Sequence, residues 1–161
     1  MKRIVQKVKE TVTGALKQGW TPDEVCWSTA WGWTVGLFPI YGVTTVTLGV
    51  VGMVWKLNHS ILQAFNYLVS PLKVALIIPY IRLGEWMFRT ENPFRLSLAE
   101  FIRRFQAAPM ETLGEFAMTF VHAIAGWAIT VPLWMFGTFF IMKGMIRAGS
   151  AAKTQLQEAR S

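Results

Sequence analysis

Acidic residues, cysteine and histidine are scarce in this chain, and each scarcity closes off a class of chemistry. Nine Asp and Glu stand against sixteen Lys and Arg. No two carboxylates share an apolar run, where burial would lift one into the range of a general acid. The one cysteine, Cys26, permits no internal disulfide; it lies inside an apolar run and says nothing of redox compartment. His122 has no second His, no Cys and no paired carboxylate at ligand spacing, so a hydrogen-bonded interior role suits it better than a metal. A glycine-rich phosphate loop, a Gly-x-Ser-x-Gly elbow and a His-Glu-x-x-His pair are all missing. The expectation is a chain that is not an enzyme and takes no cofactor or metal.

Charge of either sign is also thin. Asp, Glu, Lys and Arg make up 16% of the residues, against about 25% in ordinary soluble domains. Apolar residues reach 53% and mean hydropathy is positive. With 161 residues the chain has room for one domain. The net charge of +7 lies between and beyond the apolar runs. That placement fits orientation by cytoplasmic Lys and Arg and attraction to anionic lipid, and no nucleic-acid partner is expected. Met1-Lys2-Arg3 is basic, but no apolar stretch follows promptly, so no cleaved signal peptide is expected.

Val25 to Trp55 is 31 residues without a charge. One straight helix of that length would measure about 46 Å, well beyond a hydrocarbon slab of about 30 Å. Its middle holds Gly36-Leu37-Phe38-Pro39-Ile40-Tyr41-Gly42. Pro39 removes a backbone donor, while Gly36 and Gly42 admit dihedrals that other residues avoid. The pattern predicts a helix–break–helix hairpin dipping into a membrane. Thr21-Pro22-Asp23-Glu24 is a capping box that opens its first arm. Gly32 and Gly36, four apart, would let another helix approach closely. Trp27 and Trp31 share a face for packing or for the interface. Thr44, Thr45 and Thr47 suit back-bonding to their own helix.

Before this stretch, Ile4, Val5, Val8, Val12, Ala15 and Leu16 recur at helical spacing among Lys2, Arg3, Lys7, Lys9 and Lys17. This basic amphipathic helix either lies on an anionic surface or packs its valines on the rest of the protein. Gly19 ends it. After the stretch, Asn58 caps a new helix and His59 sits at the surface. A second apolar run then passes Asn66, Ser70-Pro71 and Lys73 to reach Tyr80. Arg82, Glu85 and Arg89 follow on one helical face. Two successive runs interrupted by proline, with polar groups near the interruptions, are the pattern of a broken-helix transporter. Snorkelling of Lys73 and Arg82 and a local Arg82–Glu85 pair are the plainer account.

Asn92-Pro93 marks a turn. Ser97-Leu98-Ala99-Glu100 is a second capping box, opening a helix with Leu98, Phe101, Ile102 and Phe105 in its apolar stripe, suited to an interface. Pro109 starts another helix. Phe116 to Met142 is 27 residues without Asp, Glu, Lys or Arg, enough for one tilted crossing, with Pro132 able to kink or divide it. Lys143, Arg147, Lys153 and Arg160 give a basic tail. The expected class is therefore all-α, a polytopic membrane protein of short or re-entrant hairpins with amphipathic interfacial helices. Its expected parts are an N-terminal helix over 1–18, a membrane domain over 19–90, an interfacial segment over 91–108, a crossing helix over 109–146 and a tail over 147–161. A cytoplasmic N-terminus is favoured, with both interrupted runs returning to the side from which they enter.

Gly19-Trp20-Thr21-Pro22, Gly32, Gly36, Phe38-Pro39, Gly42, Thr45, Leu57-Asn58 and Ser70-Pro71-Leu72 together resemble an uncharacterised prokaryotic membrane family, domain of unknown function 2062. The resemblance covers about residues 19–88, with Ile78-Pro79 and Leu83-Gly84-Glu85 part of it. It departs at Thr44, at Ser70 and in the three tryptophans of the first arm. Members occur alone or joined to glycosyltransferase-like domains. The resemblance implies a prokaryotic cytoplasmic membrane and work near envelope sugars or lipid carriers, with no established activity. Two expectations follow. In one, Lys73 and Arg82, with Glu85, Asn66 and Ser70, bind or move a lipid anion such as a phospholipid or polyprenyl-phosphate near breaks at Gly36, Pro39, Gly42 and Pro71. In the other, the chain is a scaffold for a partner such as a glycosyltransferase or for a second copy, docking through Gly32, Gly36, the Trp face and the amphipathic helix 97–106.

Overall fold

The computed structural model describes residues 2–40, 42–90 and 98–158. Among these the chain is helical without strands: α1 (Lys2–Lys17), α2 (Pro22–Gly36), α3 (Val43–Val54), α4 (His59–Leu68), α5 (Ser70–Met87), α6 (Leu98–Ala107) and α7 (Pro109–Glu158). The local stop and start signals operate as their chemistry requires. Thr21 accepts from the Glu24 N–H at 3.3 Å while Glu24 accepts from the Thr21 N–H at 2.8 Å, a complete capping box, worth about 1 kcal/mol. Asn58 Oδ1 accepts from the Ile61 N–H at 3.1 Å. Gly19, at φ 91°, takes the left-handed turn that ends α1. Asn92, Pro93 and Ser97, and with Ser97 the second capping box, lie outside the described residues.

The long uncharged stretch is interrupted where expected, between Gly36 and Val43. The two glycines act differently there. Gly42 has φ 85° and supplies the turn. Gly36 stays helical and instead provides closeness: a Cβ there would sit 2.6 Å from Val69 Cγ2 and 3.1 Å from Asn66 Cα. At Gly32 a Cβ would sit 2.6 Å from the Leu62 carbonyl oxygen. The glycine pair therefore admits α4 of the same chain, which occupies the face the scaffold expectation reserved for a partner.

Beyond the interruption the chain comes back along α2. Trp55, capping α3, stacks on Trp31 at 5.2 Å, and the Asn58 N–H donates to Ser28 Oγ at 2.9 Å. From that end α4 runs beside α2 in the same direction, Leu62 facing Gly32 and Val69 facing Gly36. The second interruption differs from expectation. The helix stops at Val69, and Pro71 lies in the first turn of α5, where its missing N–H costs nothing. The Lys73 N–H reaches the Val69 carbonyl at 2.8 Å, so hydrogen bonding resumes at once. The result is a bend of 62° between α4 and α5, the geometry of a broken span or of a re-entrant loop. Pro79 lies within α5 without ending it.

α7 closes the fold. It continues through Pro132 and past residue 146 to Glu158, so the proline neither divides it nor begins a hairpin, and the described tail is helical. It packs along both α5 and α2. A Cβ at Gly84 would overlap the His122 carbonyl, and one at Gly126 the Tyr80 carbonyl, so each helix offers its glycine to the other's backbone. Against α2, Trp127 Nε1 donates to the Thr34 carbonyl at 3.0 Å, meeting an acceptor that helix termination leaves without a partner. Trp27 lies 4.6 Å from Phe139, and Lys143 pairs with Asp23 at 2.8 Å. The described part of α1 docks Val12, Ala15 and Leu16 on a cluster containing Val25, Cys26, Ile61 and Met142.

One helix, over Phe116–Ser150, is long and apolar enough to span a membrane, and the bent α4–α5 pair passes the same test as a unit. Only 11% of the most apolar window of α7 is buried within the protein. The core helix of a water-soluble protein is mostly covered; here Met118, Leu133, Phe136, Phe140, Ile141 and Met145 all face outward.

Candidate functional site

The expected site residues fall into three separate places. Asn66 is buried and joins α4 to α3: its Nδ2 lies 3.4 Å from Thr45 Oγ1 and 3.3 Å from Gln63 Oε1. Ser70 donates to the Asn66 carbonyl at 3.2 Å. Gln63 Nε2 donates to the Thr45 carbonyl at 3.2 Å. This network ties the returning arm to α4. The two interruptions do meet beside it, through Gly36 and Val69, but Leu37 and Val69 are fully buried, so the meeting point is closely packed. Gly42 is exposed.

Lys73 is buried, so its stem does not carry the ammonium out to a rim. Nine positions separate it from Arg82, about 13 Å along α5. The two cations therefore do not converge on one phosphate.

Arg82 belongs to a third place, the C-terminal end of α5. Here an open cleft of about 710 Å³ is lined by Arg82, Glu85, Trp86, Met87, Arg89 and Thr90. Arg82 Nη1 donates to Glu85 Oε2 at 3.0 Å across one helical turn. The carboxylate is nearly buried and the guanidinium half exposed. Thr90 Oγ1 and His122 Nε2 are hydrogen bonded at 3.1 Å, and Phe88 packs on the imidazole at 5.4 Å. His122 is thus the hydrogen-bonded interior histidine that its isolation in the sequence implied. Among the described residues no group of His, Cys, Asp and Glu is placed to hold a metal.

The backbone here is unusual in one respect. The Thr90 N–H reaches the Glu85 carbonyl at 3.0 Å and the Arg89 N–H reaches the Trp86 carbonyl at 3.3 Å. That pair of bonds is a Schellman ending, which places residue 89 in the left-handed region. Arg89 has φ 50°. Glycine fills such a position without strain, whereas a side chain there costs about 1–2 kcal/mol. Lys56 ends α3 in the same way, at φ 52°. Each places a long cation beyond the negative end of a helix. The Arg89 side chain is exposed and has no ion-pair partner among the described residues. Beside it Trp86 is 75% exposed, with Met87 and Phe88 also outward.

Sequence reasoning placed Arg89 on the face of Glu85 but left it out of the site, along with Trp86, Met87 and Thr90. The available signal was Trp86-Met87-Phe88 followed at once by Arg89, aromatic then basic where an apolar run ends, as at a membrane–water boundary. A smaller open cleft, about 400 Å³, lies between the start of α2 and Lys143, Ile146 and Arg147. Comparison with known proteins gives no match to any family model, curated protein or solved structure.

Proposed function

We propose that the protein is a non-enzymatic integral membrane protein of a prokaryotic cytoplasmic membrane, and that it binds a phosphate-bearing lipid in the Arg82–Arg89 cleft. Several distances support the membrane frame. The 21 positions from His122 to Lys143 on α7 correspond to about 31 Å, close to the hydrocarbon thickness of a bilayer. The cleft of Arg82 and Arg89 neighbours His122 at one end, and Asp23, Lys143 and Arg147 mark the other. In this frame α4–α5 and α7 cross, while α2 and α3 enter and leave on the Lys143 side, a re-entrant pair.

The observation that carries the ligand is Arg89. It holds an exposed guanidinium in a backbone conformation that glycine would occupy at lower cost, beside outward Trp86 and Met87 at the end of an apolar run. A cation next to exposed apolar surface suits a phosphate with an acyl or prenyl chain attached. Arg89→Gly tests this. It relieves the left-handed strain, so the melting temperature should rise, by the equivalent of up to about 1 kcal/mol. Phospholipid retained through purification in mild detergent should fall several-fold. Lys56→Gly, relieved in the same way at the other rim, should gain stability and keep its lipid. If both variants retain wild-type lipid, Arg89 merely ends a helix and the reading fails.

A further inference from the structure

We infer that the seam between α3 and α4 is a narrow notch that takes water, open at the Lys143 rim and running about 10 Å into the membrane. The inference rests on the proposed membrane frame and is independent of the Arg82–Arg89 cleft. Two matched faces meet at this seam. On α4, His59, Gln63 and Asn66 recur at i, i+4 and i+7. On α3, Thr45, Gly49 and Gly52 recur at the same spacing. The deep end is tied shut, with Asn66 Nδ2 3.4 Å from Thr45 Oγ1 and Gln63 Nε2 3.2 Å from the Thr45 carbonyl. Nearer the mouth the helices stand apart. Among the described residues a Cβ at Gly49 would meet only His59 Cε1, at 4.0 Å, whereas at Gly32 and Gly36 it would strike α4 at 2.6 Å. The His59 ring stands beside Gly52, seven positions from Thr45, and that separation sets the depth.

The seam is also uncovered from outside: Thr45 and His59 are exposed, and Gln63 and Gly49 are half-buried. Hydroxyl, amide and imidazole groups turned towards hydrocarbon forfeit hydrogen bonds that water supplies. Gln63 Oε1 and Thr45 Oγ1 each accept from Asn66 and have capacity for a further bond. With the His59 ring they give an ordered water the several polar partners it needs. The neighbouring face of α3 is different in kind. Val46, Val50 and Met53 are exposed there and wholly apolar, as contact with lipid requires.

Thiol accessibility tests this. In the Cys26→Ala background, Thr45→Cys is compared with Val46→Cys, and Gly49→Cys with Val50→Cys, each pair being adjacent in the chain and so close in depth. A methanethiosulfonate reacts with the thiolate, and a thiol surrounded by hydrocarbon stays protonated. A small, charged, impermeant reagent applied from the side of the Lys143 rim in sealed vesicles should modify positions 45 and 49 about tenfold faster than 46 and 50. Gly49→Cys places its side chain in open space, so that variant leaves the packing of the fold intact. If either seam position reacts no faster than its neighbour, the seam is closed there and the inference fails, while the membrane frame stands. Reaction of the seam positions from the opposite side alone overturns it equally. If all four positions react rapidly, α3 stands in water and the membrane reading itself fails.

Discussion

Single glycines set the spacing of this molecule. At Gly32 the space for a methyl group is taken by the Leu62 carbonyl, and at Gly36 by the Val69 side chain, itself fully buried. An added Cβ must push α4 away, and overpacking of that kind costs about 1–3 kcal/mol. Gly32→Ala and Gly36→Ala should each lower the melting temperature, followed by tryptophan fluorescence in detergent. Gly32→Ala should be the worse, because a backbone oxygen yields less than a side chain. A methyl group added at Gly137 would meet nothing within 4 Å. Gly137→Ala should be neutral or gain up to about 1 kcal/mol from its helix preference. If all three variants behave alike, the loss reflects glycine chemistry in general and not the approach of α4.

At the scale of an element, α6 is the helix whose charges titrate most plainly. Glu100 accepts from Arg103 Nη2 at 2.9 Å and from Arg104 Nε at 3.2 Å. The hydrogen bond from Arg103, then that from Arg104, holds the Glu100 carboxyl below its ordinary range. A carboxyl depressed in the folded state contributes stability above its unfolded pKa of about 4.3, and that contribution disappears as pH falls through the lower folded value. Amide exchange over 98–107, corrected for intrinsic rates, should therefore accelerate below about pH 4. Glu100→Gln should remove that dependence. The effect is local, since these are surface pairs. Ile102 and Phe105 remain exposed beside these charges, on the apolar stripe of an amphipathic helix.

At the scale of the whole molecule the arrangement fixes which ends share a side. Asp23 meets Lys143, and Asn58 meets Ser28, so the beginnings of α2 and α4 and the last third of α7 lie together. Thr90 meets His122 at the opposite end. α1, with its five Lys and Arg, docks on the first group through Ala15. In the proposed frame the positive-inside tendency then puts that rim, with the N-terminal helix and the tail, in the cytoplasm. With Cys26→Ala as background, single cysteines at Asp23, Lys56 and Arg147 should react with an impermeant maleimide from one face of sealed vesicles. A cysteine at Arg89 should react from the other. Labelling of positions 23 and 56 from opposite faces would mean that α2 and α3 together cross the bilayer.

Local chemistry was legible along the chain: the capping box at Thr21, the cap at Asn58, the turn at Gly42 and the apolar length of α7 are all readable because each depends on residues contiguous in the sequence. Other outcomes depend on what stands opposite, and only packing decided them. Pro71 begins a helix after a 62° bend at Val69, whose side chain lies buried against Gly36 of α2. Gly36 serves close contact, not a turn, because α4 lies against it. Lys73 and Arg82 looked alike as cations of one apolar run, yet burial against a neighbour separated them, while a left-handed helix ending set Arg89 beside Arg82. A sequence specifies helices through short-range hydrogen bonding and periodicity; which side chains share a cleft follows from how those helices lean on one another.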